Sequence, residues 1–345
     1  MKPISTARSI WKSQKPSSPP SFQDAVALPP QRSKNRVLTL RQGAFGLLAG
    51  GILSSVGGAQ NLERTSLPMH QVESGHYVVD VSLGRSIHLH RDDAEPQSRF
   101  PFIVDTGASH TALVEHIATH LGYQRPIEFD QSATSLTERF DTHIYRLESF
   151  DFGLGPRSMD TVIVFAEPDE DFSAFGLLAA NHLSDSPYSL DFHAQTINFG
   201  IPEPSRQDIK ISDHFNILLG EAYISRRQEP IHVMLDTGST RTIANRALAR
   251  RLVSLDDTIV LNLRGVGSRI PQRATAGVYL THFKIGEVCV GRMPVIEADL
   301  FVFQELGWAN EPALLLGLDV LQYTRLSFDP DHASVEVTGY NRAQC

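Results

Sequence analysis

The chain has 345 residues, 41% of them hydrophobic and 20% charged, with a formal charge of −8. That length allows two domains with separate cores, and the composition excludes a disordered polymer and, with 24 Gly and 20 Pro in no period, collagen. Two cysteines, Cys289 and Cys345, exclude a framework of disulfides and a thiolate zinc module.

Charge is unevenly spread. Residues 1–59 hold eight Lys and Arg against one acid, Asp24, a balance of +7 that leaves −15 for the rest of the chain. An acidic body repels phosphate backbones, so no nucleic-acid partner is expected. Residues 13–33 are rich in Pro, Ser and Gln and bury too little surface to order themselves. Lys34, Arg36 and Arg41 then precede the apolar stretch Ala44–Val56, and Gly57-Gly58-Ala59 follows. A basic region, a short apolar region and a small-x-small end make an export signal. The expected destination is the periplasm or the exterior, with residues 44–58 serving as a membrane tether if they stay uncleaved. The alternative is a buried Gly/Ala-rich helix. Residues 1–67 are therefore set apart as signal and disordered segment.

Downstream, local patterns are mostly strand. Tyr77–Leu83 and Ser86–His90 alternate around Gly84-Arg85, the pattern of a hairpin. Phe102–Val104 and Val233–Leu235 are short apolar runs that end on Asp-Thr-Gly, consistent with buried strands. Short helical patterns follow at Leu113–Leu121 and Asn245–Leu252, and Ile144–Ala166 and Val278–Ile296 read as paired strands.

The chain also reads twice. Residues 99–114 (RFPFIVDTGASHTALV) match 230–245 (PIHVMLDTGSTRTIAN), which puts Asp105 and Asp236 at equivalent points. Residues 150–167 match 283–299, and FGLLAANHL at 175–183 matches ALLLGLDVL at 313–321. Three blocks in one order predict a duplicated all-β lobe, the first over 68–205 and the second over 206–345.

An Asp at the end of a buried strand, followed by Thr and Gly, sets a carboxylate on a tight turn, where Gly107 and Gly238 allow positive φ or close approach. One such turn is an ordinary Asx turn in many loops. Two, at matching points of paired lobes, bring their carboxylates together about a pseudo-twofold axis. Carboxylates about 3 Å apart share a proton. One then takes a proton from water while the other polarises a carbonyl. That chemistry needs no cofactor and no metal.

FIVDTGASHTALV and VMLDTGSTRTIA resemble the active-site loops of aspartic peptidases, particularly the retropepsin-like group. The resemblance implies a single chain of two β-barrel lobes, a catalytic pair Asp105 and Asp236, and Thr106 and Thr237 interlocking the loops through hydroxyl-to-backbone hydrogen bonds. The family's apolar-apolar-Gly crossing segment is matched by Leu315-Leu316-Gly317 and, with Ala for Gly, by Leu177-Leu178-Ala179. A mobile flap is expected at Leu263–Arg273 through Gly265, Val266 and Gly267, against a fixed one at Ser132–Phe140, which has no glycine. Ser239 stands where the first loop has Ala108, and its hydroxyl is expected to make Asp236 the more acidic partner.

Other signals are weaker. His116 and His120 are four apart, but Glu115 precedes both and no third ligand presents itself. Cys289 sits in an apolar pattern and reads as core. The resulting expectation is a monomeric aspartic endopeptidase acting on extended peptide or protein substrates. The alternatives are a non-catalytic peptide-binding or regulatory protein on the same fold, and a homodimer that forms the site between chains.

Overall fold

Alternation and β-branching make most of the chain extended. In the computed structural model, Tyr77–Leu83 buries Val79 and Val81 on either side of exposed Asp80, as a strand with one face on a core must. The structure describes residues 65–84, 99–123, 126–165, 174–213, 215–224, 229–263, 265 and 272–339. The export signal, the tether at 44–58, the strand expected at Ser86–His90, Val266, Gly267 and Cys345 lie outside the described residues.

In chain order the first half contains β1 (Thr65–Pro68), β2 (His70–Gln71), β3 (Tyr77–Leu83), β4 (Arg99–Asp105), β5 (Ala112–Val114), α1 (Glu115–His120), β6 (Glu128–Thr134), β7 (Arg139–Asp151), β8 (Arg157–Phe165) and β9 (Gly176–Ala179). A 3-10 turn at Ala180–His182, β10 (Tyr188–Asp191) and β11 (Thr196–Phe199) complete it. The second half contains β12 (Ile209–Ile211), β13 (Leu218–Ile224), β14 (Glu229–Leu235), β15 (Ile243–Ala244), α2 (Arg246–Ala249), β16 (Val253–Leu263), β17 (Gln272–Ile285) and β18 (Val288–Glu297). It ends with α3 (Phe301–Glu305), β19 (Ala313–Leu316), α4 (Leu318–Leu321), β20 (Thr324–Asp329) and β21 (Ser334–Gly339).

The fold is all-β with a few short helices. Strands β3-β4-β9-β5-β8-β7 run side by side, and pairing of β3 with β7 at Ser82↔Asp151 and Leu83↔Phe150 closes them into a barrel. Strands β13-β14-β19-β15-β18-β17 repeat that order, closed by Tyr223↔Lys284. Within each ring the same strands run parallel, β4 with β9 and β5 with β8, then β14 with β19 and β15 with β18. Aromatic side chains fill the first barrel, with Phe102 and Phe150 edge to face at 6.0 Å.

Helix α1 starts at Glu115 rather than Leu113. Leu113 and Val114 are taken by β5, opposite Val164 and Phe165 of β8. Sheet pairing there outweighs a helical pattern too short to stand alone. Helix α2 is capped by the Asn245 side chain, which accepts from Leu248 N at 2.9 Å.

While the first barrel is a separate sheet, a further set of strands, β1-β11-β10 from the first half and β20-β21-β12 from the second, pairs into one sheet that runs on into β13 of the second barrel. Its central ladder pairs Tyr188, Ser189, Leu190 and Asp191 with Phe328, Ser327, Leu326 and Arg325. The Tyr188 and Phe328 rings stack at 4.6 Å and 7°. The sheet opens with β1 at Thr65, paired to β11.

Candidate active site

Each Asp sits where a buried central strand runs out. Asp105 is the last residue of β4, and Asp236 directly follows β14. Strand β9 lies beneath the first turn with Ala179 opposite Asp105, and β19 lies beneath the second, where Leu316 O accepts from Asp236 N at 3.0 Å. Both carboxylates are buried, at 7% and 3% exposure.

The turns are bound to each other by four buried hydrogen bonds. Thr106 N donates to Thr237 Oγ1 at 3.0 Å, and Thr237 N donates to Thr106 Oγ1 at 3.1 Å. Thr106 Oγ1 donates onward to Leu235 O at 2.9 Å, and Thr237 Oγ1 to Val104 O at 2.6 Å. Each hydroxyl is both donor and acceptor, so its single hydrogen is committed across the two loops.

Gly107 and Gly238 are there for proximity. Neither has a left-handed backbone. A methyl on Gly107 would stand 2.5 Å from Asp236 Oδ1, and one on Gly238 would stand 2.5 Å from Asp105 Oδ2. Only glycine lets each turn press against the opposite carboxylate.

Gly107 N and Ala108 N donate to Asp105 Oδ1 at 2.8 and 3.1 Å. Gly238 N donates to Asp236 Oδ1 at 2.9 Å. Burial raises the pKa of Asp105, opposed mainly by the Gly107 N–H and by hydrogen bonds from Asp236, Ala108 and Gly238. Burial also raises Asp236, well above the ordinary carboxylate range, and the charge of Asp105 adds to it. Both carboxyls therefore have a raised proton affinity, as a pair sharing one proton requires. The Ser239 hydroxyl, expected to donate to Asp236, instead donates to Arg241 O at 2.9 Å.

The crossing segments fit the loops through threonines that the sequence reading passed over. Gly317 N donates to Thr242 Oγ1 at 3.1 Å, and Ala179 N donates to Thr111 Oγ1 at 3.3 Å. A methyl on Gly317 would meet the Arg241 backbone at 2.5 Å, whereas the first barrel accommodates that of Ala179. Asp319 accepts from Thr242 N and Oγ1 at 3.0 and 2.6 Å. Asn181 Nδ2 donates to Thr106 O at 3.2 Å. Thr111 and Thr242, like Asn181 and Asp319, occupy matching positions of the repeated blocks, and polar residues at matched points inside apolar blocks were the available signal.

Of the second hairpin's tip, Gly265 is described. Its N–H donates to Thr137 Oγ1 at 3.3 Å, and a methyl there would lie 2.8 Å from Ser135 Oγ. The first hairpin's tip is tied by Ser135, whose hydroxyl accepts from Thr137 N and Glu138 N and donates to Glu138 O at 3.0 Å. His116 packs edge-on against Phe175 at 5.8 Å. Cys289 is half-buried on β18 and disulfide-bonded, which removes it as a nucleophile.

Compared with known families, residues 93–180 match the model described as aspartyl protease. Residues 93–180 are thus similar to aspartic peptidases. It spans the first Asp-Thr-Gly turn and its crossing strand β9. No curated protein matches the sequence. Among solved structures, the chain is similar to the aspartic proteinase from Irpex lacteus at 14% identity and a TM-score of 0.45, over 82% of this chain and 99% of that one. The family match and the paired turns support aspartic peptidase chemistry in general.

Proposed function

We propose that the protein is an exported, monomeric aspartic endopeptidase whose catalytic pair is Asp105 and Asp236. The observation carrying this reading is the pair of buried carboxylates, each pressed by the other loop's glycine and held by the reciprocal threonine bonds. A binding module has no need of two desolvated acids at one point, since each costs free energy to bury.

In this reading the ionised Asp105 takes a proton from a water held between the carboxylates. The protonated Asp236 hydrogen-bonds the scissile carbonyl oxygen. Water oxygen adds to the carbonyl carbon, Asp236 gives its proton to the carbonyl oxygen, and a gem-diol forms. Asp105 then passes its acquired proton to the amide nitrogen, Asp236 takes one back from the diol, and the C–N bond breaks. One water and one amide become one acid and one amine, with both carboxyls returned to their starting states. Both carboxyls have raised proton affinities, so one proton is held between them, and its placement on Asp236 is part of this reading. Substrate lies extended beneath the two hairpin tips.

The test is hydrolysis of a mixed peptide library by residues 60–345 across about pH 3–8, with Asp105→Asn, Asp236→Asn and a pepstatin-type inhibitor as controls. Each substitution is expected to reduce kcat by at least about 10³-fold, because acid and base act as one unit. Folded protein that binds peptides but cleaves none at any pH would replace this reading with the binding module.

A further inference from the structure

Strands β2 and β3 are joined by a tight turn in which Val72 N donates to His76 O at 3.0 Å and Gly75 N to Val72 O at 2.8 Å. Gly75 supplies the left-handed residue, with φ of +87°. The turn lies against the second barrel's loop, its Gly75 3.5 Å from Thr240 Cγ2 by the methyl it lacks. His76 reaches across. Its Nε2 stands 3.1 Å from Gly238 O, and its Nδ1 stands 2.9 Å from Ser74 Oγ.

Partner chemistry fixes the tautomer. A carbonyl oxygen only accepts, so Nε2 carries the hydrogen. Nδ1 of a neutral ring then accepts the Ser74 hydroxyl's proton. Burial lowers the proton affinity of the imidazole, with the Gly238 carbonyl opposing it, which favours the neutral ring.

Gly238 O belongs to the same peptide group as Ser239 N. That N–H donates to Asp236 O at 3.3 Å, closing the turn in which Gly238 N donates to Asp236 Oδ1 at 2.9 Å. A donor on the oxygen of a peptide strengthens the N–H on its other side, as in any hydrogen-bonded chain. Resting on the reading of Asp105 and Asp236 as the catalytic pair, we propose that His76 is a positioning residue for that pair, holding the Gly238–Ser239 peptide in the turn so that the Gly238 N–H stays on the Asp236 carboxylate. The first half of the chain thus orients the second half's carboxylate through a hydrogen bond spanning 162 residues. Glu73 shares the turn with His76, while Asp105 and the N–H of Gly238 face the Asp236 carboxyl.

The experiment compares His76→Phe, which keeps a ring but loses the donor, with His76→Gln, whose amide nitrogen replaces Nε2. His76→Phe should lower kcat about ten-fold with KM nearly unchanged, the size of one neutral hydrogen bond, and His76→Gln should restore most of it. A structural role alone would lower the two variants alike. The second readout needs no activity: carboxyl ¹³C titration of Asp-labelled full chain, with Asp236→Asn identifying the resonance. The Asp236 titration should move to higher pH in His76→Phe and return in His76→Gln. If wild type cleaves peptides and His76→Phe matches it in kcat and titration, the positioning role is overturned while the peptidase reading stands. If wild type cleaves nothing, the peptidase reading fails, and the titration alone decides whether His76 acts on Asp236.

Discussion

Burying two carboxyls at one point makes the protein less stable near neutrality than it would be with an amide there. Both folded-state pKa values are raised. A raised group contributes stability that is fully present below its unfolded pKa of about 3.9 and is lost as pH rises through the folded value. Asp236→Asn removes a group held well above the ordinary carboxylate range, while its amide oxygen still accepts from Gly238 N. The variant should melt above wild type at pH 7, by more than the roughly 0.5 kcal/mol of a neutral surface change, and the advantage should vanish as pH falls below about 4. Calorimetry across pH 3–8 measures it, and equal melting temperatures at pH 7 would contradict it. Asp105, Asp236 and the two threonines are legible in sequence because the repeat marks them twice. His76 is not, since its partner lies in the other half of the chain, and the Ser239 rotamer is set by the nearby Arg241 carbonyl, which no pattern announces.

Strands β6 and β7 form a hairpin whose tip is docked on the second half of the chain. Leu136 packs in an apolar cluster with Val302 and Phe303, and its carbonyl accepts from Val302 N at 3.4 Å. Arg139 at the start of β7 is ion-paired with Glu305 of α3. The absence of glycine in Ser132–Phe140 suggested a fixed tip, but its docking site was hidden, because α3 comes 165 residues after Leu136. Magnitudes rank the two fastenings. Truncating a half-buried leucine costs about 1–2 kcal/mol, whereas an exposed ion pair contributes about 0–1 kcal/mol. Leu136→Ala should therefore speed amide exchange at Ser135–Glu138 more than Glu305→Gln does, with the barrel strands unchanged in both. Hydrogen-exchange mass spectrometry reads this order directly, and a larger effect from Glu305→Gln would assign the docking to the ion pair.

The two barrels share more than a boundary. Strand order within each was half-visible in the repeated blocks, but the direct pairing of β10 with β20 was not, because the blocks 189–192 and 325–328 read as two equivalent strands rather than as each other's partners. Docking makes them neighbours, and their ladder, the Tyr188–Phe328 stack and one continuous apolar cluster tie the halves together. The threonine bonds add a second tie at the opposite end of β4 and β14. Two such ties predict one cooperative unit rather than two domains that melt apart. Thr106→Val tests this, since it leaves the buried Thr237 N–H without its acceptor, at a cost of about 1–3 kcal/mol. For a chain of this size that is a fall of about 2–10 °C in melting temperature. In a Trp11→Phe background, Trp308 fluorescence reports the second half alone, while far-UV circular dichroism reports both. The two signals should coincide in the parent and fall together in Thr106→Val. A fluorescence transition that separates from the dichroism transition would mean that the threonine bonds, and not the shared sheet, had been holding the halves in one unit.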